Sequence, residues 1–494
     1  MRGAPLNRAG GLDVSPLALA GAGAAIVLIA LATVTKADSD LWGHLRFGLD
    51  TLATRSLPSE DPYSFTQDRP WINHEWLSEL MMGAAYTVAG VSGLAALKGL
   101  LVASALAMVW LALGSVRTDI RIVVMGAVAM GTVPVTRTLR PQLWTMVCLA
   151  VLCTALMAEN RAWRRCLPLV FVVWANSHGG WIVGLGVLAA WTFFDIVAER
   201  RIRAEAVMIA VGSLVATLVT PYGWTLWQFI ATTVSLSGRA ITEWQPLWRS
   251  PPADAGPWVA AVLAGLFLAR RGTPHRLQIL GVLAVLAYAS LKVVRIVPLF
   301  VFCSGMLLPE LLAARWPQRA KTTTRAAPGE WPLAVGLAIA SIAGAGWILS
   351  SSLRCVAVEG DWIPDAGAAR RLQGAVPGRL VTFFDWGQYA IWHLSPTLEV
   401  SMDGRRETVY SDARLDEHGA ILNGTPDGLR TLERWSPEYV WLPATSTVTR
   451  AWLLSRGYRL EYETGKSFVA VRHDLPVLPE PPANRSHELG CFPG

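Results

Sequence analysis

What most limits the fold of this 494-residue chain is a succession of apolar runs separated by short charged loops. Eleven can be marked, at residues 16–35, 93–114, 122–136, 143–158, 166–176, 181–197, 204–220, 257–269, 277–290, 296–313 and 331–350. The first, second and last approach or reach the roughly 20 residues needed to cross a hydrocarbon core about 30 Å thick. The others are shorter and lean on neighbours. With 53% hydrophobic and 16% charged residues, the chain carries too little charge for a soluble surface. The sequence predicts an all-α polytopic membrane bundle of about 11 transmembrane helices over residues 1–350. Lys36, Asp38 and Asp40 follow the first run where a cleavage site would need small residues, so that run reads as a retained signal anchor.

The loop charges orient the bundle. With the N-terminus inside, the inner loops 115–121, 159–165, 198–206, 270–276 and 314–330 hold 15 Lys or Arg in 47 residues, and the outer segments hold 10 in about 105. Lys and Arg accumulate on the cytoplasmic side of membrane proteins, so the N-terminus is expected in the cytoplasm and the C-terminal part outside a bacterial inner membrane. This patterning also accounts for the net charge of +7 without nucleic acid, since no basic stripe with interleaved aromatics occurs.

Against that basic background, residues 36–92 form an acidic outer loop, with eight acids and four bases. It reads as two surface helices. Asp38 or Ser39 can cap one that runs to about Arg55, Pro58 and Pro62 interrupt it, and Asn73 can cap another through Ala89. Asp40 and His44 are spaced to share a face of the first helix, and Glu75 and Glu79 share one of the second.

The same orientation places the unusual polar residues on one side: Asp38, Asp40, His44 and His74, Arg137 and Arg140 in RTLRPQ, Asn176 and His178 in WANSHGG, Glu243 in ITEWQPLW, and Lys292 and Arg295 in LKVVRIVP. An acid just beyond a membrane span can take a proton from an acceptor hydroxyl or bind a divalent cation, which would make Asp38 and Asp40 its ligands. Acids there also stabilise a helix N-terminus. Arg140 and Arg295, each beside a proline-containing helix start, are suited to phosphate, whereas Lys98 and Lys292 read as side chains that snorkel to the surface. HEWLS at His74 lacks the second His of a zinc-protease helix, and no zinc site is assigned.

Beyond residue 350 the apolar runs shorten and alternate with polar residues. RLVTFF, TLEVSMDG and SPEYVWLP read as strands, WGQYAIWHL and STVTRAWLLSRG as helices, and YRLEYETG with KSFVAVR as a hairpin. A C-terminal extracytoplasmic α/β domain is expected over 351–475, then a Pro-rich polar tail over 476–494. Cys148, Cys153, Cys166 and Cys303 fall in or at spans as small packing residues. Cys355 and Cys491 fall outside, where a disulfide is permitted.

This arrangement resembles the GT-C superfamily of membrane glycosyltransferases, which includes protein O-mannosyltransferases and lipid A aminoarabinose transferases. The resemblance is carried by Asp38-Ser39-Asp40 after the first span, the long outer loop, the many spans and the outer C-terminal domain. The chain also resembles a group of bacterial multi-pass proteins with a W-x-N-x-H-G turn, here Trp174, Asn176, His178 and Gly179, and a D-G-R…Y segment, here Asp403, Gly404, Arg405 and Tyr410. Where the mannosyltransferases have an Asp-Glu pair closely followed by His, this chain has Asp-Ser-Asp with His44 further on. The resemblance implies transfer of a sugar from a polyprenyl-phosphate-linked donor, with Asp40 or Asp38 as base, His44 orienting, and Arg140 and Arg295 facing the phosphate. Arg137, Asn176, His178, Glu243 and His74 join the expected substrate-binding set. A non-catalytic assembly factor for envelope polysaccharide, or a transporter, is the alternative; a transporter should show two related halves, and no such symmetry is present.

Overall fold

The computed structural model describes residues 16–235, 242–318, 330–480 and 490–494. Each of the eleven apolar runs folds mainly as helix, from α1 (Pro16–Thr33) to Glu330–Ser352. Among the described residues, three stretches are long and apolar enough to cross a membrane unaided: Trp76–Ser115, Trp181–Glu199 and Glu330–Ser352. A pair bent by 49°, Val294–Leu307 with Pro309–Arg315, makes a fourth if taken as one span. The expected eleven spans are thus eleven apolar helices of unequal reach. Leu167–Ser177, with 11 residues, rises only about 17 Å and must pack on its neighbours.

α1 lies along Glu330–Ser352, where Thr33 Oγ1 and Ser352 Oγ are 2.6 Å apart. Lys98 does not snorkel as expected. It is 2% exposed and donates to the Val34 carbonyl at 2.6 Å, which satisfies an acceptor just past the end of α1. At the other end of the bundle Arg117 N–H donates to the Trp316 carbonyl, so two of the loops grouped by their positive charge sit side by side.

The outer loop does contain two helices, α2 (Leu41–Thr54) and α3 (Trp76–Ala112). Their starts differ from expectation. Asp40 and Glu75 occupy the cap positions with no side-chain cap, while Asp38 and Asn73 accept from the N–H groups of Asp40 and Glu75, at 3.1 and 3.2 Å. α3 breaks at Ala89–Gly90, where Gly90 takes φ +57°, a conformation that costs a residue without Cβ little. The surface helix therefore ends where the sequence placed its end, and the next apolar run begins beyond the break. α2 crosses the first half of α3 so closely that a Cβ on Gly48 would lie 2.0 Å from the Glu79 carbonyl oxygen.

The C-terminal part holds a five-stranded sheet of β1 (Gly378–Thr382), β2 (Leu398–Val400), β3 (Tyr439–Pro443), β4 (Arg459–Glu463) and β5 (Ser467–Val471), in the order β2-β1-β3-β5-β4. β1 runs parallel to β2 and β3, and β5 antiparallel to β3 and β4. Ser64 of the outer loop bridges β2 at Val400, through Val400 N–H to the Tyr63 carbonyl and Phe65 N–H to the Val400 carbonyl, and so covers that sheet edge. The domain and the acidic loop consequently lie on one side of the bundle.

The tail is not loose where it is described. Leu478 is buried, Cys491 forms the expected disulfide with Cys355 at a Cα separation of 5.2 Å, and Phe492 packs among Trp42, Tyr86 and Trp392. Cys148, Cys153 and Cys303 are buried, but Cys166 is exposed because it ends a 3-10 turn before its helix begins.

Candidate functional site

The segment between Thr136 and the helix Gln142–Met157 brings Arg140 against the first acids of the outer loop. Its Nε donates to Asp38 Oδ2 at 2.5 Å and its Nη2 to Asp40 Oδ2 at 2.7 Å, so one planar guanidinium holds both carboxylates. Glu243 lies on the same side, 3.9 Å from Arg140 Nη1 and 3.7 Å from Arg295 Nε. Burial raises the Asp40 carboxyl above its usual range, even though Arg140 opposes the shift. For Arg140, burial works against the charge, but Asp38 and Asp40 more than offset it.

One turn along α2, His44 turns away from Asp40. The shared face exists, yet the imidazole Nδ1 bonds Glu79 Oε1 at 2.8 Å and lies 3.9 Å from Glu75 Oε2, because the close α2–α3 crossing puts these acids beneath it. Burial would favour the neutral ring, but Glu79 and Glu75 push its pKa up to about 9. Two further imidazoles close on Glu75: His74 Nε2 and His178 Nε2 each lie 3.7 Å from its Oε1. Burial works against the Glu75 charge, but His74 and His44 hold its carboxyl below the ordinary value.

His178 is aimed by the turn that carries it. Gly180 N–H donates to its Nδ1 at 3.0 Å, and Thr145 Oγ1, which accepts from Trp174 Nε1 at 2.9 Å, lies 2.7 Å from the same nitrogen. Nε2 is left to face Glu75. Burial pushes this ring down to about 3, so it is neutral at physiological pH. Asn176, expected to bind substrate, is instead a buried fastener: its Nδ2 donates to the Val172 and Val219 carbonyls and its Oδ1 accepts from Trp76 Nε1. The Arg137 side chain is exposed and makes no contact with this cluster, although its carbonyl accepts from Lys36 N–H at 3.0 Å.

The structure thus joins Asp38, Asp40, Arg140, Glu243, Arg295, His44, His74 and His178 at one end of the bundle. It adds Glu75 and Glu79, whose shared helix face the sequence displayed without indicating their partners.

The arrangement also disfavours a cation between Asp38 and Asp40. The oxygens of Asp38 and Asp40 are largely engaged, by Arg140 and by the Asp40 N–H, so an ion between them would displace a guanidinium. Ligand atoms of His44, Glu75 and Glu79 instead lie within 4.8 Å of one another, and their mixture of imidazole and carboxylate suits a divalent transition ion.

No protein-family model and no curated protein sequence matches the chain. Among solved structures it is similar to the oligosaccharyltransferase of Archaeoglobus fulgidus, crystallised with a disulfide-tethered acceptor peptide containing the NVT sequon (TM-score 0.53, 11% identity, 92% of this chain and 74% of that one). It is also similar to ArnT from Cupriavidus metallidurans in the apo state (TM-score 0.52, 12% identity, 92% and 97%). ArnT crystallised with undecaprenyl phosphate gives a TM-score of 0.47 at 12% identity over the same shares. At such low identity the likeness is one of fold: the chain shares the fold of the oligosaccharyltransferase and of apo ArnT.

Proposed function

We propose that this protein transfers a sugar from a polyprenyl-phosphate-linked donor to a hydroxyl-bearing acceptor at the outer face of a bacterial inner membrane. The observation that carries the reading is Arg140 holding Asp38 and Asp40 directly after the first helix, in a chain with the GT-C fold. Asp40 is the better placed of the two as base: Asp38 has one oxygen on the Asp40 N–H and the other on Arg140, whereas Arg140 holds Asp40 by Oδ2. Burial also raises the Asp40 carboxyl, so that it takes up a proton more readily than an ordinary carboxylate. It takes the acceptor proton as the acceptor oxygen bonds to the anomeric carbon, and the bond from that carbon to the phosphate oxygen breaks. Arg140 and Arg295 face the charge that develops on the departing phosphate.

A divalent cation, if one is used, would be held by His44, Glu75 and Glu79, with His74 and His178 at its rim, and would add positive charge near the leaving phosphate. His44 then anchors this group and supports α2 without contacting Asp40's proton. The test is transfer of labelled sugar from a polyprenyl-phosphate donor by the purified protein in proteoliposomes. Asp40→Asn keeps the shape and removes the basic oxygen, so transfer should fall on the order of 100-fold or more with donor binding largely kept. Equal transfer by wild type, Asp38→Asn and Asp40→Asn would reduce these acids to a structural role.

A further inference from the structure

Gln388 is the second residue of the helix Gly387–Leu394, which follows the carboxyl end of β1 after a short 3-10 turn, and its side chain reaches out of the C-terminal domain towards Asp40. The residue is 3% exposed. Its Oε1 is buried with no hydrogen-bond partner, and its Nε2 makes no hydrogen bond among the described residues. A buried amide oxygen left unpaired costs on the order of 1–3 kcal/mol, so a fold that keeps one at no gain would be expected to lose it.

Two glycines make its place. A Cβ on Gly43 of α2 would lie 2.2 Å from Gln388 Oε1, and one on Gly404, in the loop after β2, would lie 2.3 Å from Asp40 Oδ1 and 2.8 Å from Gln388 Nε2. Any side chain at either position would push the amide or the carboxylate aside. Asp40 Oδ2 is held by Arg140, and the other oxygen, Oδ1, is the one on the Gln388 side. The segments that carry Gln388 and Gly404 follow the carboxyl ends of the parallel strands β1 and β2, the edge at which open α/β sheets bind ligands.

We propose that Gln388 is a substrate-binding residue of the C-terminal domain, and that its carboxamide holds the hydroxyl of a polyol acceptor beside Asp40 Oδ1. The ligand class rests on the transferase reading given above. A neutral carboxamide next to a carboxylate is a poor neighbour for phosphate, which the guanidiniums of Arg140 and Arg295 suit. A hydroxyl fits both groups at once: its proton goes to Asp40, and its oxygen accepts from the Nε2 amino group, which lies on the Asp40 side and carries two N–H donors. The C-terminal domain therefore supplies the acceptor side of the site, and the membrane bundle supplies the phosphate side.

The experiment uses full-length protein in proteoliposomes with a labelled polyprenyl-phosphate-linked sugar and a membrane glycolipid fraction as acceptor probe. Gln388→Met keeps the shape and removes the amide. The melting temperature should stay level or rise, since an unpaired buried polar group is lost. The KM for the acceptor fraction should increase about tenfold, the worth of one hydrogen bond, with undecaprenyl phosphate binding unchanged. Gln388→Glu sets a second carboxylate beside Asp40 and should reduce transfer further. A fall of several degrees in the melting temperature of Gln388→Met, or an unchanged acceptor KM, overturns the proposal. If wild type transfers no more label than Asp40→Asn, the transferase reading fails on its own account. The melting temperature of Gln388→Met still tests the structural alternative, since a fall of several degrees overturns the proposal in that case too.

Discussion

Arg405 of the C-terminal domain and Asp61 of the outer loop, 344 residues apart, form a two-armed ion pair with N–O distances of 2.6 and 2.8 Å. The same guanidinium holds Asp403, and the rings of Phe47, Tyr63 and Trp71 surround it at 5.0, 5.4 and 4.8 Å. This buried triad fixes the loop that follows β2, and with it Gly404, against the acids of the outer loop.

Arg405→Met should therefore destabilise the protein by about 3–5 kcal/mol, because it leaves two buried carboxylates facing each other without a cation. Thermal unfolding in detergent measures this. Adding Asp61→Asn and Asp403→Asn should recover much of the loss, since the uncompensated charges are then gone. A change below about 1 kcal/mol in Arg405→Met would show that the domain is held by other contacts.

A second prediction concerns pH. The folded-state pKa of His44 is pushed up to about 9, above the roughly 6.5 of a free imidazole, so its charged pairing with Glu79 stabilises the α2–α3 crossing. That contribution is fully present below about pH 6.5 and is lost as pH rises through about 9. The gap in melting temperature between wild type and His44→Gln, measured with EDTA to exclude metal, should be widest near pH 6 and close by about pH 10. It should be worth on the order of 2 kcal/mol at its widest. A gap that does not change with pH would mean that His44 is neutral in the folded protein.

The fold was legible where a pattern is local. The apolar runs, the surface helix ending at Thr54, the break near Ala89 and the strands of the C-terminal sheet all follow from hydrophobic periodicity and from Pro and Gly. The helices Asp412–Asn423 and Pro426–Trp435 are too polar to stand out as apolar runs. At the site, the residue types were legible but their pairing was not. Arg140 is 100 residues from Asp40, Glu79 is 35 from His44, and no spacing rule joins them. Asn176 and Arg137 show the converse: each sits beside a residue that reaches the cluster, yet one is spent on backbone carbonyls and the other points outward. Gln388 was invisible, since what marks it is the absence of a partner in a buried place.

Orientation yields a third prediction. The excess of Lys and Arg in the loops that include Arg117 and Arg315 is the pattern expected of a cytoplasmic end of the bundle. A reporter active only outside the membrane should be silent when fused after Pro317 and active when fused near Tyr410. The reverse pattern would put the Asp38–Arg140 centre inside the cell, where an outward-facing acceptor could not reach it.

The last prediction separates two arginines of one short segment. Arg140 bonds both Asp38 and Asp40, whereas the Arg137 side chain is exposed, so equal charge and near-equal position should not give equal effect. Arg140→Ala removes the fork that holds Asp38 and Asp40, the proposed base, and that on the proposed function faces the phosphate. Transfer should fall on the order of 100–1,000-fold, and undecaprenyl phosphate should bind more weakly. Arg140→Lys keeps the charge but cannot hold two carboxylates in one plane, and should recover phosphate binding better than turnover. Arg137→Ala should stay within about twofold of wild type in both, as expected for an exposed charge without a partner in the site. If the two alanine variants lose transfer to the same extent, charge at the membrane surface is what matters, and the paired geometry of Arg140 has no special part in the reaction.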